Sequence, residues 1–207
     1  MNLAKELEQG VTALGLKLSP QVQRRLLNYL ALLNKWNTAY NLTAVREPQK
    51  MVSHHLLDSL AAVPHIEALS IVDVGSGAGL PGIPLAIARE EWQVTLLDGS
   101  HKKTAFLKQA EIELKLANVD VRCERAENFQ PREKFDCVIS RALSDLTEYV
   151  ELAGHLCKST GTVVAMKGVY PNEEIAQLPR HFKMQQVIPL RVPGLKAQRH
   201  LVIMKAA

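Results

Sequence analysis

The run 71–85, reading IVDVGSGAGLPGIPL, restricts the fold of this chain more than any other stretch. Apolar residues lead to Asp73 and Val74, then glycine stands at Gly75, Gly77, Gly79 and Gly82, and an apolar segment resumes. This pattern predicts a buried strand that stops at a sheet edge, turns sharply and re-enters as a helix. The helix amides would then point at whatever occupies the turn. Glycine permits positive φ there and lets backbone approach a ligand where a Cβ would collide. A flat or charged ligand is the expected occupant.

Beyond that run the chain alternates strand and helix rhythms. Strands are predicted over 71–74, 94–97, 119–123, 135–139 and 162–166, with helices over 81–90, 102–116 and 146–156. Such alternation is the mark of an α/β doubly wound, mainly parallel sheet. Two further strand-like runs, 184–192 and 200–205, flank Pro193-Gly194 and should pair as a terminal antiparallel hairpin. Residues 1–66 have another rhythm. Leu3, Leu7, Val11 and Leu14 recur at helical spacing, and Ser19-Pro20 reads as a cap and first turn. The helix it opens is expected to break over 37–41, and a third, continuous helix is expected over 48–63, stopped by Pro64. An N-terminal helical cap (1–66) joined to a ligand-binding α/β domain (67–207) in one compact unit is the expected organisation.

The length of 207 residues suffices for one such domain with a real core. A net charge of +4 is compatible with an anionic partner without demanding one. Cys123, Cys137 and Cys157 lack metal-ligand spacing, no metal is expected, and buried reduced thiols are the expected state. No secretory segment or apolar run of transmembrane length is seen, so a soluble, cytoplasmic protein with no membrane contact is expected. In the cap, His55 and Asp58 lie three apart and can meet on one helical turn. A solvated helix face with a local ion pair is the first reading. A polar pair where the cap meets the sheet is the second.

Ligands of these sheets bind beyond the carboxyl ends of the strands, at the switch point. Asp73, the glycine turn, Asp98, Ala126-Glu127, Ser140-Arg141 and Lys167 fall there. Asp98, ending strand two, can accept hydrogen bonds from ribose hydroxyls, Ala126-Glu127 could read an adenine edge, and Arg141 suits a carboxylate or phosphate. Two cofactors compete. Gly77, Gly79 and Gly82 match the dinucleotide spacing, but Pro81 interrupts it, the match begins two residues late, and no Tyr-x-x-x-Lys pair is present. Read instead from Asp73 to Gly79, followed by Asp98, the turn suits S-adenosylmethionine, and the terminal hairpin belongs with that fold. An RNA-binding module without catalysis is the rival from another class, and the intact turn with Asp98 speaks against it.

From end to end the chain resembles the bacterial small-subunit ribosomal RNA methyltransferase G family, also called glucose-inhibited division protein B. The resemblance is carried by Lys35-Trp36-Asn37, Tyr40-Asn41-Leu42-Thr43, His55-Leu56-Leu57-Asp58-Ser59 and the whole run 71–85. Ser140-Arg141-Ala142, Lys167-Gly168 and Arg199-His200-Leu201 complete it. Ala78 stands where many members have proline. The resemblance implies a class I, Rossmann-like S-adenosylmethionine-dependent methyltransferase with a seven-stranded sheet. It also implies methyl transfer to N7 of one guanine in the decoding-region loop of 16S rRNA, as naked RNA or in an assembling 30S particle. By the same resemblance Gly75, Leu80, Ala126, Glu127 and Arg141 contact the cofactor.

Arg141 is the expected positioning residue, with no general base, because guanine N7 already carries a free lone pair. Consistent with this, no Cys-Pro pair for cytosine C5 and no Asn/Asp-Pro-Pro-aromatic run for amino methylation is present. Strand four also lacks the acidic residue that ribose methylation would use. Lys35, Arg46, Lys102, Lys103, Lys167, Arg199 and His200 are the candidate RNA-backbone contacts, and a monomer is the expected state.

Overall fold

The computed structural model describes residues 2–141 and 145–207; Met1 and Ala142, the last residue of the Ser140-Arg141-Ala142 motif, lie outside them. Seven strands form one sheet in the order β3-β2-β1-β4-β5-β7-β6. They are β1 (Ser70–Val74), β2 (Gln93–Leu97), β3 (Val119–Arg122), β4 (Phe135–Ser140), β5 (Cys157–Lys167), β6 (Phe182–Pro189) and β7 (His200–Ala206). β1 to β5 pair in parallel, while β7 runs antiparallel between β5 and β6. The expected α/β sheet with its terminal antiparallel hairpin is therefore present.

Strand periodicity sorts the core into two layers. Ile71, Cys137, Ile139, Val164 and Met166 face one side, and Val72, Val74, Val138, Val163 and Ala165 face the other. This follows from the alternation of side chains along a strand. The first layer is shared with the N-terminal helices α1 (Leu3–Ala13) and α2 (Pro20–Tyr40) and with α5 (Gly82–Ala88) and α6 (His101–Glu113). On the second, Leu146, Tyr149 and Val150 of α7 (Leu146–Ala153) close the sheet.

Of the expectations for the cap and its neighbours, one is met and three are corrected. α2 ends within the expected stretch 37–41, running to Tyr40 and capped by Asn41, whose φ of 48° is left-handed. Asn37 is buried and its Oδ1 accepts from the Thr43 amide at 2.9 Å, so its polar side chain staples the chain that follows the helix. The third cap helix is not continuous. An α-turn, α3 (Pro48–Met51), passes into a π-helical segment, Val52–Leu57, then α4 (Asp58–Leu60), with a 3-10 turn at Val63–His65. Every residue over 51–63 except His54 is buried. A segment enclosed on all sides has no polar face to display, so the solvated-face reading of His55 and Asp58 fails. Cys123 is exposed just past β3, since that strand stops at Arg122, whereas Cys137 is buried as expected and Cys157 is intermediate. A short helix not anticipated from sequence, α8 (Asn172–Ala176), follows β5.

The cap also braces the glycine turn. Tyr29 is fully buried on α2, and its hydroxyl donates to the Ala78 carbonyl at 2.6 Å. Burial pushes that phenol well above its ordinary range. Tyr29→Phe keeps the ring but leaves the carbonyl without this donor. It should lower stability by about 1–2 kcal/mol, read as a shift of the denaturant midpoint at unchanged slope. No helix among the described residues is long and apolar enough to cross a membrane.

Candidate functional site

The glycine turn leaves β1 at its carboxyl end with φ of 69°, 59° and 85° at Gly75, Gly77 and Gly79. Its entry is anchored to β2: the amides of Gly75 and Ser76 both donate to the Leu97 carbonyl, at 2.8 and 3.1 Å. At Gly79 a Cβ would lie 2.4 Å from the Ile83 side chain, so close packing and backbone conformation both require glycine. The same holds for space at Gly82, where a Cβ would meet Leu96 at 2.3 Å and the Asp73 carboxyl at 2.8 Å.

Asp73 and Asp98 hold the two ends of this turn. Asp73 Oδ2 accepts from the Gly82 amide at 2.8 Å, while Oδ1 is buried without a hydrogen-bond partner among the described residues. Burial raises the Asp73 carboxyl to about 7, against the Gly82 amide and the Arg141 charge, which lower it. The folded protein thus binds this proton more tightly than the unfolded chain. The stability it contributes is full below the ordinary carboxylate range and is lost as pH rises toward and through about 7. Asp73→Asn removes that titration. Its stability relative to the parent should therefore improve between pH 4 and pH 7 and level off above, as followed by urea unfolding at stepped pH.

Asp98 is the outer clasp. Its Oδ2 accepts from the Gly77 amide at 3.0 Å and its Oδ1 from the Ser100 amide at 2.9 Å, with Lys103 Nζ at 3.5 Å. The carboxylate is already used to shape the turn, a role sequence spacing does not reveal. A cleft of about 370 Å³ opens beside it, lined by Gly75, Asp98, Gly99, Ala126, Glu127 and Leu152 among others. Gly75, Asp98, Ala126 and Glu127 are thus brought together as expected. Leu80 and Asp73 are not on that wall: both are buried beneath the turn, with the Leu80 side chain in the cap-facing core.

A second cluster stands where β4 ends. Arg141 Nη1 donates to Asp58 Oδ2 at 3.1 Å and to the His54 carbonyl at 3.0 Å. From just before β7, Arg199 Nε donates to the other oxygen, Asp58 Oδ1, at 2.8 Å. Asp58 is only 1% exposed, so one carboxylate from the cap joins two strand ends. Beside it His55 Nε2 is 3.0 Å from Thr43 Oγ1, and burial, with the Arg141 charge second, lowers His55 to about 4. His55 is consequently a neutral structural imidazole and not the ion-pair partner of Asp58. The second reading, a polar cluster at the junction of cap and sheet, holds, with arginine as the missing partner.

The remaining basic candidates separate by partner. Lys167 is nearly buried and its Nζ lies 2.7 Å from Glu174 Oε2 on α8. His200 Nδ1 sits 2.9 Å from the Gly168 carbonyl. Lys35 and Arg46 are exposed, and Arg46 donates to Asn41 at 3.1 Å. Lys102 lies over the Tyr40 ring, with Nζ 5.9 Å from its centroid. Tyr29 and Glu174 are the residues that sequence reasoning passed over. A tyrosine within an apolar helical stripe is the available signal for the first, because a buried hydroxyl needs a partner.

This architecture matches solved methyltransferases at low identity. A SAM-dependent methyltransferase from Aquifex aeolicus aligns with a TM-score of 0.61 at 16% identity, over 83% of this chain and 97% of that one. One from Thiobacillus denitrificans, in complex with S-adenosyl-L-homocysteine, aligns at 0.55 and 13%, over 85% and 98%. Sequence relatives are far closer. The chain is 55% identical to the ribosomal RNA small subunit methyltransferase G of Nitrosospira multiformis, over 100% of this chain and 99% of the relative. It is 57% identical to the protein of that name from Laribacter hongkongensis, over 98% of each. The family model for rRNA small subunit methyltransferase G matches residues 22–202. With that match running from α2 through the glycine turn into β7, the chain belongs to the rRNA small subunit methyltransferase G family.

Proposed function

We propose that this chain transfers the methyl group of S-adenosylmethionine to N7 of a guanine in the decoding-region loop of 16S rRNA. The observation that carries the reading is the family match laid over an intact glycine turn with its clasp and cleft. The residues fit the cofactor. Positive-φ glycines let the backbone of the turn approach a ligand, and the cleft beside Asp98 and Ala126-Glu127 has the size and the polar rim for a nucleoside. Asp98 would hold the ribose, the Ala126-Glu127 segment the adenine edge, and Arg141 the amino-acid carboxylate or the target nucleotide.

When bound, the cofactor supplies an electrophilic methyl group on a sulfonium. The guanine N7 lone pair needs no proton removed before it attacks. The protein therefore has to align the reactants, exclude water and place charge, which are proximity and electrostatic effects. The groups around Arg141 agree with that division of labour. Asp58 has both oxygens committed to guanidinium groups, and His55 is buried beside Thr43. Neither is placed as a general base.

The test is incubation with labelled S-adenosylmethionine and 16S rRNA, naked or in 30S particles, lacking the modification, followed by mapping of the methylated base. Label at a guanine N7 in that loop is expected; label elsewhere, or none on either substrate, overturns the reading. Asp98→Ala loses the outer clasp of the turn together with the proposed ribose contact. It should weaken cofactor affinity about ten-fold or more, measured by titration calorimetry.

A further inference from the structure

Among the described residues, six large apolar side chains are substantially exposed, and two of them, Val169 at 75% and Tyr170 at 42%, are adjacent. They follow directly on β5, whose last residue, Lys167, pairs with His200 of β7. The Tyr170 ring meets the His200 ring at 5.6 Å and 81°, an edge contact, and His200 is tied to the Gly168 carbonyl. An exposed aromatic is thus held in a fixed attitude at the carboxyl-end rim. Arg199 precedes His200 in the chain, its guanidinium lies near Gly168, and with Arg141 it shares the single carboxylate of Asp58. Of the two guanidinium groups on that carboxylate, Arg199 is the one that adjoins His200, the residue bracing the ring. The other exposed aromatic on this rim, Tyr40, is different: Trp36 stacks on it at 5.0 Å and Lys102 lies over it.

We infer that Tyr170, braced by His200, is a stacking platform for an unpaired RNA base next to the target guanine, with Arg199 facing the adjoining phosphate. This rests on the RNA methyltransferase reading and adds a recognition residue to it. A ring face beside a cation is the combination single-stranded nucleic acid uses, since every base has a π-face and every nucleotide a charge. The chemistry fits an unpaired strand rather than a duplex, in which the bases already stack on one another.

The test compares Tyr170→Ala and Tyr170→Phe with the parent. It measures affinity for a fluorescent single-stranded oligonucleotide carrying the target loop, KM and kcat on unmodified rRNA, and S-adenosyl-L-homocysteine affinity. Tyr170→Ala should weaken oligonucleotide binding and raise the RNA KM by about 5- to 100-fold, with cofactor affinity and melting temperature unchanged. Tyr170→Phe should behave as the parent, because the ring and not the hydroxyl carries the contact. Oligonucleotide affinity unchanged in Tyr170→Ala overturns the inference. So does weakened activity confined to 30S particles, which would assign the surface to a ribosomal protein. Failure of the parent to methylate any rRNA would sink the functional reading instead, and the oligonucleotide affinities would still decide the role of Tyr170.

Discussion

Asp58→Ala should destabilise the protein by about 3 kcal/mol and abolish most methyl transfer. Removing one partner of a buried charge cluster is far more damaging than its net worth would suggest, because the other charges remain without a counter-ion. Here two guanidinium groups, each with a quarter of its side chain exposed, would be left facing each other around the space Asp58 filled. That residual exposure lets water reach them, which places the expected loss at the low end of the usual 3–5 kcal/mol range. Three separate segments lose their common anchor at once: the cap, the end of β4 and the chain just before β7. The double variant Asp58→Ala/Arg199→Ala should recover part of the loss, since one of the opposed charges goes with it. Guanidinium-chloride unfolding of the four proteins in the cycle measures the coupling, and strictly additive losses would show that the cluster does not act as a unit.

Arg141→Ala should lower cofactor affinity or the apparent affinity for RNA by about 10- to 150-fold, the value of a charge-assisted hydrogen bond to a ligand. Calorimetry with S-adenosyl-L-homocysteine separates the two targets: a weakened Kd places Arg141 on the amino-acid carboxylate, and an unchanged Kd with a raised RNA KM places it on the nucleotide. No change in either would remove Arg141 from the site. Arg141→Lys is the informative companion. An ammonium can still donate to Asp58 and to the His54 carbonyl, so much of the stability should return. It offers a point charge where guanidinium offers a planar fork, so ligand affinity should stay low. Stability rescued without function is the expected split.

Both variants turn on a cluster that is legible in the sequence only as separate fragments. His55, Asp58, Arg141 and Arg199 all stand in motifs that carry the family resemblance, yet local spacing pairs Asp58 with His55, three residues away. The structure pairs it with residues 83 and 141 positions further along the chain. The helix differs as well as the partner. A regular α-helix over 48–63 would leave an outer face for polar residues, whereas the π-helical segment lies enclosed between the N-terminal helices and the sheet. Lys167 makes the same point. As a strand-end lysine it reads as a phosphate contact, but α8, too short to leave a periodic signal, supplies Glu174 beside it.

What the sequence determines by itself is whatever depends on near neighbours in the chain. Alternating apolar residues fix which strand faces look into which core layer. The glycines at Gly75, Gly77 and Gly79 fix where the backbone takes positive φ, and Asp98 falls at the strand end that faces the turn. These features rest on backbone sterics and on the period of two along a strand, and both act over a few residues. What only the tertiary structure decides is which buried polar groups satisfy one another. Tyr29 reaches Ala78, Asp58 receives Arg141 and Arg199, and Asp98 clasps Gly77 and Ser100 before any ribose arrives. A buried donor or acceptor must find a partner at hydrogen-bond distance. Which partner lies there is set by how the cap, the sheet and the hairpin pack together, and that is a property of no single segment.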